Sequence, residues 1–229
     1  MLATTAPMNG KRDFVTELKA YVERSALAEK AGVYEPEWVR LNDIIATCAA
    51  IREVTDEKIR DELRRQMVVS LVAVIQGSAR STIAGIVDAK EECGEQLPEF
   101  QHVRITLAMV RELKNRQFSV GEFVAHLSSL NGFEQISAAL QHACAQDLNT
   151  TLLNRFRDQA RPIDGLKNPQ QAVATARAQI LSLFTYRNIY CHESGIGISV
   201  KDQELYEFIV TTITVVTALG LLRAKWLKL

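Results

Sequence analysis

The sequence predicts an all-α fold, a helical bundle, on three observations. Prolines are scarce, five in 229 residues, so few points interrupt a helix. No Asn-Gly or Asp-Gly pair sits between the alternating apolar and polar residues that mark a β-hairpin. Apolar residues recur instead every three or four positions along most of the chain. With 47% hydrophobic and 24% charged residues, the composition suits a folded soluble domain and excludes general disorder. The length suits one domain spanning 1–229.

The elements follow in order. Phe14, Leu18, Tyr21 and Val22 place a first helix over 11–31. In "EPEWVRLNDIIATCAAIREV" (35–54), Pro36 and the acidic residues suit a first turn, and Trp38, Leu41, Ile45 and Cys48 fall on one face. Thr55 or Asp56 can cap a long third helix, with Ile59, Leu63, Met67, Leu71, Val74 and Ile75 on one stripe. Its expected end is near Cys93–Gly94, and Gly77 or Gly85 is the expected point of close helix approach.

Shorter amphipathic pieces fill 97–150, divided at Phe118–Ser119 and at Asn131–Gly132; Ser119 with Glu122 fits a capping box. This region reads as a helical insertion or subdomain. The polar stretch "RFRDQARPIDGLKNPQ" (155–170) reads as a break in the pattern. Asn168 then caps, and Pro169 opens, a helix carrying Val173, Ile180, Leu183 and Phe184, which Gly195 and Gly197 are expected to stop. A last helix, about 201–227, packs Leu205, Phe208, Ile209, Ile213, Val216 and Leu219. Its further Val210, Val215 and Leu222 are compatible with a second buried face or with a deep core.

Formal net charge is zero, which excludes a uniformly basic nucleic-acid coat. The charge is nevertheless uneven: residues from Thr151 onward carry a net +4 and the remainder −4. Cys48, Cys93, Cys144 and Cys191 form no CxxC pair and no signal peptide precedes them, so reduced thiols and a cytoplasmic location are expected, without a zinc site. The apolar runs 67–87 and 205–222 are interrupted by Gln76, Ser78 and Arg80 and by Glu207. They read as buried core helices rather than membrane spans.

One stretch looks built for chemistry: "FTYRNIYCHESGIG" (184–197). Asn188 and His192, four apart on a helix, share a face, whereas Arg187 lies about 140° from His192 and must reach round with its long side chain. Such a trio suits metal-free RNA cleavage. The ribose 2′-hydroxyl is already tethered beside its phosphate; an imidazole exchanges protons near neutrality; a guanidinium holds the charged phosphate oxygens. The bland reading is a helix end with ordinary capping and dipole chemistry. Arginine followed at this spacing by histidine is expected about once by chance in such a chain; Asn188 directly after Arg187, just ahead of the final helix, is more restrictive.

Of the other candidates, Tyr190 and the basic residues Arg155, Arg157, Arg161 and Lys167 are weak substrate-binding candidates, the basic ones equally consistent with a solvated loop. Cys191 reads as a buried small side chain, and His102, His126 and His142 as packing or surface residues.

"YRNIYCHESG" ahead of one more apolar helix, together with "RQMVVSLVAVIQGSARSTIAGIV", resembles the HEPN domains, whose signature is arginine, four to six residues, then histidine, often with a polar residue right after the arginine. The resemblance covers roughly 55–93 and 150–229. It implies a HEPN-like helical bundle, here with the helical insertion at 97–150, that dimerises to bring two motifs into one cleft. It further implies a metal-independent endoribonuclease without cofactor, acting on RNA in toxin–antitoxin or anti-phage systems, with an antitoxin or other regulatory protein as partner. Carried over, Arg187 is the phosphate-binding cation, Asn188 the polar helper and His192 the catalytic imidazole. HEPN toxins silenced by nucleotide transfer carry a tyrosine two residues after the histidine; Ser194 stands there, which argues against that regulation. Some HEPN domains are non-catalytic interaction or nucleotide-binding modules, and this is the alternative reading.

Overall fold

Asp56 starts the longest helix of the molecule. Its carboxylate accepts the amides of Lys58 (2.9 Å) and Ile59 (3.2 Å), donors that a helix start leaves unpaired. The structure, a computed structural model, describes residues 36–89, 110–111, 114, 118–158, 168–192 and 198–227. The expected 11–31 helix, the expected helix end near Cys93–Gly94, and Arg161, Lys167, Gly195 and Gly197 lie outside the described residues. Among the described residues there are seven helices and no strand: α1 Pro36–Ile51, α2 Glu57–Ala89, α3 Val120–Leu127, α4 Phe133–Cys144, α5 Leu148–Asp158, α6 Pro169–His192 and α7 Asp202–Leu227. The described chain is all-α.

At 33 residues α2 is about 50 Å long, and α1, α3, α4, α6 and α7 all pack against it. Met67, Val68, Leu71, Val72, Val74, Ile75, Ala79 and Ile83 are buried, so its middle is enclosed on nearly every side. That explains why apolar residues dominate its middle on more than one face. Both α2 and α7 are long and apolar enough to cross a membrane by length and composition, and more than half of each apolar window is buried inside the bundle. The expectation of core helices matches that burial.

Two expected stripes each hold one misplaced residue. In α1, Leu41 and Ile44 face inward, while Ile45 is 39% exposed. Ile59, expected at the head of the α2 stripe, is 54% exposed because the first turn of α2 runs past its neighbours. Within α7, Val215 and Leu222 join the core and Ile213 is only half-buried. The apolar surplus there is mostly a deep core.

The capping box forms as expected: Ser119 Oγ accepts the amide of Glu122 at 3.0 Å, and Glu122 accepts that of Ser119 at 2.8 Å. Close approach occurs at Gly121, not at Gly77 or Gly85. A Cβ on Gly121 would lie 2.1 Å from the carbonyl oxygen of Ala84, whereas at Gly77 and Gly85 it would meet only side-chain atoms of Glu37 and Arg223. Asp88 of α2 completes the junction by accepting the Gly121 amide at 2.7 Å. From 97–150, Val124, Ala125, Phe133, Ile136 and Leu140 all enter the same core as α2.

The polar break begins later than expected. Residues 155–158 are helical, the last turn of α5. Leu148 and Leu152 are fully buried and Phe156 packs on the core, so a 4-residue apolar spacing holds α5 down despite its charges. Asp147 begins α5 by accepting the Thr150 amide at 2.7 Å. Burial pushes its carboxyl up, but hydrogen bonds from the side chain and backbone of Thr150 and from Asn149 outweigh this and hold it below the usual range. Asn168 begins α6 in the same way, accepting the amide of Gln170 at 2.9 Å.

One buried cation ties the base of the bundle together. Arg64, 8% exposed, contacts Glu57 (2.9 Å), Asp61 (2.7 Å) and Asp202 (2.8 Å), fastening the start of α2 to the first turn of α7.

Candidate functional site

The last two turns of α6 carry the motif. Ile180, Leu183 and Phe184 bury the inner side of α6, and its inward side continues through Tyr186 and Tyr190. The Tyr186 ring stands edge-on to Phe208 of α7 at 5.9 Å and lies 5.8 Å from that of Tyr190. The Tyr186 hydroxyl donates to Glu204 at 3.3 Å. Burial, and next the Glu204 carboxylate, push the Tyr186 phenol upward. With the tyrosines held inward, Asn188 and His192 are left outward, and both are exposed.

Arg187 is half-buried. Its Nη1 donates to Asn188 Oδ1 at 2.9 Å. Since a guanidinium has no acceptor, the amide oxygen of Asn188 must face it, leaving the amide N–H groups free of partners among the described residues. The end of α6 thus carries a guanidinium joined to an amide, with an exposed imidazole about one turn further on. Such a group seeks acceptors and suits a phosphate.

Tyr190 does not join this face. Its ring lies under the guanidinium of Arg65 from α2, 5.7 Å from centroid to Cζ, where a cation–π contact forms. Both residues line a groove of about 410 Å³ with Glu62, Gln66, Val69 and Ser70. The Tyr190 hydroxyl is buried with no hydrogen-bond partner, and its phenol is pushed up to about 12, by burial first and the Tyr186 phenol second, against the opposing Arg65 charge. Arg65 is a cation near the motif that sequence reasoning missed. Its only signal was the basic pair Arg64–Arg65, and nothing local says which of the two turns inward.

Arg155 and Arg157 sit elsewhere, with Lys225, in a groove between α5 and the end of α7. On α7, Glu204 of the motif end and Leu221 of this groove are about 25 Å apart along the helix. The structure does not bring these arginines to the motif.

Cys191 is exposed rather than buried, because the turn of α6 that holds it faces solvent beside His192. Cys144 is buried and Cys48 half-buried. Among the described residues no three His, Cys, Asp or Glu side chains gather as metal ligands. No family model, curated protein or solved structure matches the chain.

Proposed function

We propose that the protein is a metal-independent endoribonuclease of the HEPN type, a HEPN-like bundle acting as a homodimer in the cytoplasm within a toxin–antitoxin or anti-phage setting. One observation carries the reading: Arg187 and Asn188 are joined at 2.9 Å on the same helix end as an exposed His192. An imidazole enclosed in the apolar core would have been useless for this chemistry.

In the proposed reaction the 2′-oxygen of a ribose attacks the adjacent phosphorus and gives its proton to the imidazole of one subunit. The bond from phosphorus to the 5′-oxygen of the next nucleotide breaks, and that oxygen takes a proton from the partner subunit's imidazole. Arg187 carries the charge that gathers on the non-bridging oxygens, and Asn188 holds the guanidinium toward them. The products are a 2′,3′-cyclic phosphate and a free 5′-hydroxyl, with no redox change and no cofactor.

The test is cleavage of RNA in excess EDTA. Wild type leaves 2′,3′-cyclic phosphate ends, and His192→Ala loses at least about 100-fold in rate with its helical circular dichroism unchanged. Equal cleavage by wild type and His192→Ala ends the nuclease reading. A second reading, a non-catalytic interaction or nucleotide-binding module, is favoured by Leu181, which is 42% exposed on the same face of α6 seven residues before Asn188. An antitoxin or regulatory protein would then contact that apolar residue, and His192→Ala would leave its binding intact.

A further inference from the structure

The groove between α5 and the end of α7 has a chemistry of its own. Arg155 and Arg157 come from the last turn of α5 and Lys225 from the last turn of α7. No carboxylate lines the groove among the described residues, and among those residues none of the three cations has an ion pair or hydrogen bond. The buried Nε of Arg155 has no hydrogen-bond partner. In a chain with net charge zero, three cations on two packed helices, with no counter-charge among the described lining residues, are a local surplus.

Helix ends explain only part of it. Two C-termini contribute about −0.5 each, so the described groups that line the groove sum to about +2. Its volume is about 410 Å³, within the roughly 300–1,000 Å³ of small-ligand sites. Asn154 adds a polar group, while Ala218 and the half-exposed Leu221 supply an apolar wall. No aromatic side chain lines it among the described residues, so it lacks the platform on which bases stack. These features favour recognition of sugar–phosphate backbone without reading of bases.

We infer that Arg155, Arg157 and Lys225 form an anchoring site for the phosphate backbone of a single-stranded RNA, separate from the motif by about 25 Å along α7. That the strand is RNA rests on the nuclease reading; the preference for phosphates rests on the groove alone. The anchor would hold a strand at one end of the bundle while the other end meets the scissile bond.

Binding can be measured without cleavage by using a labelled 12-nucleotide 2′-O-methyl oligouridylate, whose blocked 2′-oxygens cannot attack. Fluorescence anisotropy on the full chain is followed across a salt series. The triple variant Arg155→Gln, Arg157→Gln, Lys225→Gln is expected to bind about tenfold or more weakly, and its slope of log affinity against log salt should fall by about 2, since each single-strand phosphate contact adds about 0.7. The control Arg177→Gln, which removes a cation paired with Glu134, should change neither. Unaltered affinity and slope in the triple variant, or no binding by wild type, overturns the anchor even if RNA is cleaved. Displacement of the strand by 5′-UMP at concentrations that match its affinity also overturns it, in favour of a mononucleotide pocket. Loss of binding in the triple variant upholds the anchor even if wild type cleaves nothing, in which case only the nuclease reading falls.

Discussion

At the scale of single residues, Tyr190 gives the cleanest test of the described surroundings of the motif. Its hydroxyl is buried and unpaired, an arrangement that costs about 1–3 kcal/mol. Tyr190→Phe keeps the ring under Arg65 and deletes the unpaired group, so thermal unfolding should shift upward by the equivalent of about 1 kcal/mol. The pH dependence follows from the raised phenol, about 12 in the folded chain against about 10 unfolded. The unfolded phenol ionises first, so this contribution is complete below pH 10 and is lost as pH climbs toward 12. Wild type should therefore lose more stability across that window than Tyr190→Phe does; parallel alkaline melts would contradict the placement of Tyr190. The shared face of Asn188 and His192 was legible in the sequence because spacing alone fixes it. Arg65 beneath the motif and Lys225 beside Arg155 were not, because each comes from a distant helix and only packing brings it there. Cys191 was misread because Ile189 and Tyr190 precede it in sequence, whereas burial depends on which side of α6 meets α2 and α7.

At the scale of helices, starts were easier to read than ends. Asp56, Ser119 and Asn168 cap α2, α3 and α6 as their residue types predict, since a cap needs only its own next three amides. The stripes failed at Ile45, which lies mid-helix beside the buried Ile44 and turns outward, and at Ile59, in the exposed first turn of α2. Polar composition hid the last turn of α5, which is kept by the spacing of Leu148, Leu152 and Phe156. Glycine shows the same division between local and tertiary causes. Gly121→Ala would press a methyl against the Ala84 backbone, and the α2–α3 junction would have to open, costing about 3 kcal/mol. Gly220 lies within α7, and a Cβ there would meet nothing within 4 Å, so Gly220→Ala should stabilise by about 1 kcal/mol through helix propensity. Urea unfolding of the two variants should move in opposite directions; a shared direction would contradict the assigned packing.

At the scale of the whole molecule, α7 links the two candidate sites, with the motif near its start and the basic groove near its end. Arg64 fixes only the first of these. It binds Asp202 in the first turn of α7, and Glu204, two residues on, takes the Tyr186 hydroxyl from the motif helix. Arg64→Leu removes a buried cation and leaves three carboxylates without it. A fully buried pair broken this way costs roughly 3–5 kcal/mol, but Glu57 and Asp202 keep side-chain exposures of 62% and 54% and remain hydrated, so about 2 kcal/mol is expected. The loss should be local in its dynamics. Amide hydrogen exchange in Arg64→Leu should accelerate at the first two turns of α7 and the last two of α6 while α5 and the end of α7 stay protected. RNA cleavage should fall, yet the salt slope for oligouridylate binding should match wild type, because the groove cations hang from the far end of the helix. Uniform acceleration throughout α7 would mean that the helix responds as one rigid unit, and that Arg64 supports both ends of the bundle alike.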